Sequence, residues 1–580
     1  MFNPNEEKQM SRLRDAITDS RMKLRPFRKN RLDFIKQYVG NHYSENGSSD
    51  RVPVNFLAMA VLIYMRQLAA RTPQVLINPV NGASKDTWWR AKDFEAAMNK
   101  WLLKNKFGGN LQKVVLDAMF SIGIMKKGTA IDGDSTVPFA DAIHLDNWVH
   151  DMTARSLSEM KFMGDIYRLD YEYVMESGEF EKKTIDGLKP SDYKNTSNEG
   201  EEKVSAISQG ESTFKDSLVD FVEVMDIWLP EGMLITMLVD GDKKPLKVVE
   251  WDGPVTGPYG ILSFGDVPDN VMPLSPVSLW TDLHDLANRL FDKIGRQAER
   301  QKTILGVQCG SDSDAETITN ARDGQAVRLN NPNSAQELNF GGVDAKSLAF
   351  LLQTKDLFSY FSGNLDSIGG LGTTADTVGG EQLVNASSSK VAMDLQDRTS
   401  VFAQETLNDI GYYLFTEPLV DIQTTRKIPG IDKEFPVSFN RNTRSGQFYD
   451  YDISIQPYSM QHQSPNSQLN TLCKVLDKYI IPLAPLIQQQ GKTLGIDRLV
   501  DIIGRLANIP ELSEIIVSGP TVNPQMQQNG GGMPNNTTRT YERVNKPGAT
   551  TQGKDAATMQ LLLGGQPQQA EMAALSRSAG

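Results

Sequence analysis

Five histidines and two cysteines leave few places in this chain for metal or nucleophile chemistry. His144 and His150, with Asp151 following, are of metal-ligand type. On a strand, alternation would put His144, Asp146, Trp148 and His150 on one face. The nearest other histidines, His42 and His284, are far away in sequence, so the expected role is structural or at the surface. Cys309 and Cys473 are too few for a disulfide framework or an all-cysteine metal site, and are expected as free thiols. Gly491-Lys492-Thr493 has the ending of a phosphate-binding loop. That motif needs a glycine where Leu486 stands and a strand where a proline-broken helix is expected, so it is rejected. No G-x-S-x-G, H-E-x-x-H or Rossmann fingerprint is present, and no pair of carboxylates stands out. The expectation is a protein that is not an enzyme, with no catalytic residue, no cofactor and no metal.

Two constellations suit binding. Arg289, Lys293, Arg296 and Arg300 are spaced four, three and four, which aligns them on a helix expected over 277–305. At 1.5 Å per residue that helix would be roughly 43 Å long. Leu279, Leu283, Leu286, Leu290 and Ile294 form its apolar row. The basic stripe can face DNA phosphates. It can equally pair locally or with a neighbouring subunit, because Asp285 with Arg289 and Asp292 with Arg296 stand at i,i+4 in the favourable order. The second constellation is the loop 363–380, with Ser367, Gly369, Gly370, Gly372, Thr373, Thr374, Thr377, Gly379 and Gly380. Its glycines permit many backbone states, and its hydroxyls could touch a nucleic-acid backbone without holding it. Generic loop flexibility explains the same composition.

The elements around them read as follows. Helices are expected over 5–24 and 28–39, with a break at Pro26; the basic bias of the second invites a nucleic-acid reading but is attributed to a solvated face or a subunit contact. Asn55 is a plausible N-cap for an apolar helix that ends before Thr72-Pro73. A strand at 74–78, helices at 86–104 and 110–125, and strands at 128–132 and 142–150 follow. Trp88, Trp89 and Trp101 are expected as core or interface anchors. Residues 177–215 are a polar surface excursion. Strands at 219–228, 233–239 and 247–251 form an antiparallel meander. Residues 252–276 lead, rich in proline and glycine, into the long helix. A polar insert spans 308–342, a helix 345–361, and another helix 381–415. Residues 428–456 are β-rich, 468–490 and 498–506 helical, and the segment from 519 is of low complexity.

At 580 residues the chain can hold several domains, and 39% apolar content is enough for most of it to fold. No apolar run reaches eighteen residues, and charges occupy the N-terminus where a signal peptide would be apolar, so a soluble, unsecreted protein is expected. Net charge is −12. Residues 1–40 carry ten Lys and Arg against five Asp and Glu, so the other 540 residues carry −17. That balance argues against tight, static DNA binding, which relies on phosphate neutralisation, but not against a protein that DNA passes through.

The order of these segments resembles the portal proteins of tailed bacteriophages, the head-to-tail connectors. The resemblance covers roughly 30–510. It rests on Phe34-Ile35-Lys36-Gln37-Tyr38-Val39-Gly40 followed by Pro53-Val54-Asn55, on the helix closing at Ala70-Arg71-Thr72-Pro73, and on residues 114–123 with Lys126-Lys127-Gly128. It rests also on Pro273-Leu274-Ser275-Pro276 before the long helix, on Gly324-Gln325-Ala326-Val327, which looks like a clip strand, and on 358–363 with the glycine-rich loop beyond. Each string alone is weak, and their shared order makes the match.

The resemblance implies an α+β subunit with a β-rich wing, long stem helices, a small clip and a helical crown. It divides the chain into wing (1–274), first stem helix (275–307), clip (308–343), second stem helix (344–363) and tunnel loop (364–380). The long helix and wing return (381–467), crown (468–518) and tail (519–580) complete it. It implies a homo-oligomeric ring, a dodecamer, at one capsid vertex of the virion, through which double-stranded DNA enters during packaging and leaves during ejection. The implied partners are the major capsid protein, the terminase packaging motor, a head–tail adaptor and the passing DNA, with no membrane. Stem residues Arg289, Lys293, Arg296 and Arg300 would line the DNA channel. Clip residues Asp312, Asp314, Glu316, Arg322, Asp323 and Arg328 would face motor and adaptor. The alternatives are another head–tail connector ring and, further off, a DNA-processing ATPase.

Overall fold

The computed structural model describes residues 2–4, 6–40, 54–80, 85–133, 135–180, 185, 188–190, 220–239, 244–330, 333, 335–369, 378–427, 434–444, 446–456, 459–460, 469, 472–483 and 503. The chain divides into two units, Met1–His462 and Gln463–Gly580.

The first unit begins with α1 (Glu7–Val39), one helix that runs through Pro26 rather than breaking there. An interior proline costs about 3 kcal/mol. Packing on both sides offsets it, since Leu24 is buried before the proline and Arg28 and Arg31 are buried after it. Arg28 Nη2 donates to the Trp148 carbonyl at 3.0 Å, and Arg31 Nη2 to Asp117 Oδ1 at 2.6 Å. These two basic residues therefore serve the fold and not a solvated face. Asn55 caps α2 (Phe56–Leu68) by accepting from Ala58 N at 2.9 Å, and its amide donates to the Tyr38 carbonyl at 2.9 Å. The cap thus ties the end of α1 to the start of α2.

Strand β1 (Val75–Pro79) and helices α3 (Lys85–Lys104) and α4 (Phe107–Phe120) follow. Trp101 is buried, with its indole N–H on the Pro138 carbonyl at 2.8 Å, whereas Trp88 is exposed and meets Trp89 edge-on. Strands β2 (Gly123–Asp132) and β3 (Ser135–Ile143) are longer than the sequence indicates. The single strand expected over 142–150 is split by a 3-10 turn at Leu145–Asn147 before β4 (Trp148–His150). The turn lets Trp148 enter the core fully buried. It also removes the alternation that would have aligned His144 with His150.

Strand β5 (Met163–Asp170), helix α5 (Tyr171–Glu176) and strands β6 (Phe221–Leu229), β7 (Met233–Leu238) and β8 (Lys247–Glu250) come next. They include the expected meander and build a five-stranded antiparallel sheet in the order β4-β5-β6-β7-β8. The lead-in segment contains β9 (Tyr259–Leu262), which pairs with β2 to close the sheet β3-β2-β9.

Then come α6 (Pro276–Glu299), β10 (Lys302–Val307), α7 (Asp312–Asn320), β11 (Ala335–Phe340), α8 (Ala345–Phe361) and the short α9 (Leu365–Ile368). Helix α10 (Val378–Thr416) and strands β12 (Ile422–Lys427), β13 (Glu434–Phe439) and β14 (Tyr451–Ile455) end the unit. β14 returns to pair with β1, Val75 opposite Ile455. The main core lies among α2, α3, α4, the start of α6 and α10. At its centre Phe94 stacks on Phe439 at 5.2 Å and meets Tyr451 edge-on. The fold class is α+β. In the second unit residues 472–483 are helical, with a wider turn at Leu476–Ile480. Among the described residues no helix is long and apolar enough to cross a membrane.

Candidate functional site

Helix α6 starts where Ser275 Oγ accepts from Ser278 N at 3.2 Å, with Pro276 in the first turn where its missing N–H costs nothing. Its buried stripe is Val277, Trp280, His284 and Ala287, and not the leucine row. Leu279 is 60% exposed, and Leu283, Leu286, Leu290 and Ile294 are half-buried. Trp280 stacks on Tyr64, whose hydroxyl donates to the Ser362 carbonyl at 2.6 Å. Burial holds His284 neutral, with its pKa pushed down to about 4. Beyond Ala287 no residue of α6 is buried, so its outer half leaves the core.

The helix ends at Glu299, at about 36 Å, instead of running to 305. Residues 302–307 form β10, where Thr303, Ile304 and Val307 are β-branched and favour the pleat. β10 pairs with β11, Lys302 opposite Phe340 and Val307 opposite Ala335, so an antiparallel ladder joins the outer ends of the two helices. Gly341 and Gly342 take φ of +75° and +125°, and a Cβ on Gly341 would sit 3.1 Å from the Arg300 carbonyl. Glycine there lets the chain turn closely past the end of α6.

Asp344 caps α8 by accepting from Lys346 N at 3.2 Å. The bounds of α8 match the sequence expectation. Only Thr354, Phe358 and Ser359 are buried, while Leu348, Phe350, Leu352, Leu357, Tyr360 and Phe361 are between 41% and 68% exposed. The paired helices thus carry large apolar side chains on surfaces that are left uncovered among the described residues.

The basic stripe, Arg289, Lys293, Arg296 and Arg300, is exposed along the outer half of α6. Arg296 pairs with Asp292, as the i,i+4 spacing allows. Arg289 Nε reaches the Asp285 carbonyl at 3.4 Å. Lys293 contributes, after the hydrogen bonds from Lys346 N and Ser347 Oγ, to holding Asp344 below the usual carboxylate range.

In the insert, Asp314 is buried and does not face outward. It accepts from Asn330 N with both oxygens at 3.1 Å and from Asn330 Nδ2 at 3.2 Å, pinning α7 to the return segment. Asp312, Glu316, Arg322, Asp323 and Arg328 are exposed. Gly324-Gln325-Ala326-Val327 is no strand: Gln325 N bonds the Arg322 carbonyl in a turn with Gly324 at φ +76°.

The loop expected over 364–380 has helix at both ends. Leu365 is buried in α9, which includes Ser367 and is followed by Gly369, and Gly379 and Gly380 belong to the first turn of α10. Two glycines there cost about 1 kcal/mol each, and the 39-residue helix extends over them. Gly363 takes φ +85°, and a Cβ there would meet the Tyr64 hydroxyl at 2.7 Å. Gly370, Gly372, Thr373, Thr374 and Thr377 lie outside the described residues, as do Gly491-Lys492-Thr493, most of 177–215 and all of 519–580.

Sequence reasoning missed the buried ionic clusters. Alternation along β2 sends Lys126 and Lys127 to opposite faces. Lys126 Nζ lies 2.8 Å from Asp165 and 2.9 Å from Asp226. Tyr259 donates to Asp165 at 2.6 Å, and Thr236 to Asp226 at 2.7 Å. Burial pulls the Lys126 pKa down, but the carboxylates of Asp226 and Asp165 outweigh it and raise it above the ordinary lysine value. Burial raises that of Asp165. Lys127 pairs with Asp409 of α10, beside a cavity of about 340 Å³ walled by Met160, Met163, Trp228 and Phe402. The adjacent lysines were the legible half of this signal; the carboxylates lie 39 and 100 residues further on.

His144 and His150 have separate environments. His144 Nδ1 is 2.7 Å from Asp117 Oδ2. His150 Nδ1 accepts from the Trp148 indole at 3.1 Å, and burial pushes its pKa down to about 4. Among the described residues no group of His, Cys, Asp and Glu could hold a metal ion, and Cys309 and Cys473 are free and exposed. No known protein-family model and no curated protein matches the chain.

Proposed function

We propose that the chain is a portal-type subunit that assembles into a ring around a channel for double-stranded DNA. The observation that carries the reading is the hairpin of α6 and α8 closed by the β10–β11 ladder. Its inner end is seated in the core by Trp280, Tyr64 and Phe358, and its outer surface carries exposed Leu, Phe and Tyr side chains. Apolar patches of this kind mark protein contact surfaces. Copies of the same hairpin around an axis would cover them and leave the insert at one end, where a motor or adaptor could dock.

The charge supports passage over retention. Twelve copies would carry a formal −144, which disfavours tight phosphate binding and lets DNA slide. The stripe from Arg289 to Arg300 would supply local attraction, partly neutralised by Asp292. In this reading hydrolysis of ATP belongs to the partner terminase, and the capsid protein and head–tail adaptor hold the ring at the vertex.

Single-particle electron microscopy of the purified chain tests this. The expected top view is a closed ring of about twelve subunits around an open channel. A monodisperse monomer or dimer at micromolar concentration would overturn it.

A further inference from the structure

Helix α1 crosses three separate cores. Met10, Leu13 and Ile17 enter one; Leu24 and Phe27 enter a second; Phe34, Ile35 and Tyr38 pack on the main one. Just past Pro26 its fastenings are polar. Arg28 reaches the carbonyls of Leu145 and Trp148, which do not titrate. Arg31 reaches carboxylates, Asp117 at 2.6 Å and Asp146 at 3.5 Å. Asp117 is double-faced: Oδ1 serves Arg31, and Oδ2 meets His144 Nδ1 at 2.7 Å. Arg31 and Asp117 are buried, but the His144 side chain is 55% exposed. A solvent-accessible proton site therefore touches the buried fastening of α1.

We propose that Arg31, Asp117, Asp146 and His144 form a proton-operated latch that holds the segment of α1 after Pro26 tightly when His144 is protonated and less tightly when it is neutral. The charged groups facing His144 are Arg31 from α1, Asp117 from α4 and Asp146 from the adjoining 3-10 turn. With His144 protonated the four charges balance. With His144 neutral a net negative charge stays in a largely buried cluster. Neutral imidazole can keep its Nδ1–H on Asp117, so what is lost is charge and not the hydrogen bond.

The direction follows from the same contacts. The hydrogen bond to Asp117 raises the His144 pKa above its ordinary value, while His144 and Arg31 overcome burial and lower that of Asp117. Asp117 thus stays charged across the whole window. A raised histidine pKa gives stabilisation that is complete below about pH 6.5 and lost as pH rises through the folded value.

Hydrogen exchange on the full chain at pH 6.0 and 8.5, corrected for intrinsic exchange chemistry, tests the latch. Protection of residues 28–39 should fall roughly threefold at the higher pH, as expected for an ion pair with one exposed partner, while residues 7–20 hold constant. His144→Gln should show the lower protection at both pH values, and His144→Lys the higher at both. Wild-type protection that does not change with pH would overturn the proposal. So would a His144→Gln variant that keeps the wild-type pH dependence, or a His144→Lys variant that behaves like His144→Gln.

Discussion

At the residue scale, the side chains with the largest consequences are buried polar ones in the first unit. Lys126 bridges Asp165 and Asp226 between two sheets. Removing one partner of a buried ion pair strands the others, at about 3–5 kcal/mol. Lys126→Met should therefore lower the free energy of unfolding, measured by denaturant titration, by that amount, and its stability should fall as pH rises above the ordinary carboxylate range. A change under 1 kcal/mol would mean water reaches the carboxylates. His150 and His284 set a second expectation. Both are neutral in the fold, with pKa values about 4 against an ordinary 6.5. The unfolded chain takes up protons first as pH falls, so stability present above pH 6.5 is lost toward pH 4, by up to about 3 kcal/mol for each. Denaturation at pH 7 and pH 4.5 measures this, and His284→Gln should flatten the profile. The roles of these residues were not legible in the sequence, because each depends on partners brought in by another element. Arg28 and Arg31 are the clearest case: their types indicated exposure, and it is the fold of 145–148 together with Asp117 of α4 that supplies the carbonyls and carboxylates around them.

At the scale of elements, local signals performed well where local chemistry decides. The cap at Asn55, the meander of β6, β7 and β8, and the bounds of α8 were all readable. They failed where tertiary packing overrides propensity. Pro26 stays inside a helix held on both sides, β9 forms in a proline- and glycine-rich lead because β2 offers an edge, and residues 302–305 leave the helix to pair with β11. The apolar row on α6 was legible as a row but not its burial, since Val277, Trp280, His284 and Ala287 are the residues that enter the core. Helix α8 gives the sharpest test of assembly. Leu352→Glu alters an exposed position, so the subunit should unfold within about 0.5 kcal/mol of wild type. If α8 forms the contact of the proposed ring, the same change should shift the population from rings to monomers in light scattering. Retained rings would remove this face from the subunit contact. Under the proposed portal role, shortening the segment 370–377 should leave the ring intact and reduce the DNA packaged per particle; loss of the ring would assign the segment to assembly instead.

At the scale of the whole molecule, charge and topology set what the protein can do. An acidic chain with a short exposed basic stripe should bind free duplex only weakly at physiological salt, and fluorescence anisotropy should give no sub-micromolar affinity. Tight binding would favour a DNA-holding role over a conduit. The topology has a different consequence, for synthesis. β1 finds its partner in β14, with Val75 opposite Ile455, and Tyr64 finds the Ser362 carbonyl almost 300 residues downstream. At translation rates of about 5–20 residues per second, β1 waits roughly 20–80 s for its partner strand to leave the ribosome. Until the end of that interval the core around Phe94 lacks Phe439 and Tyr451, the rings that pack on it. The emerging chain therefore keeps apolar surface of the kind chaperones bind in the open until β14 has closed the fold.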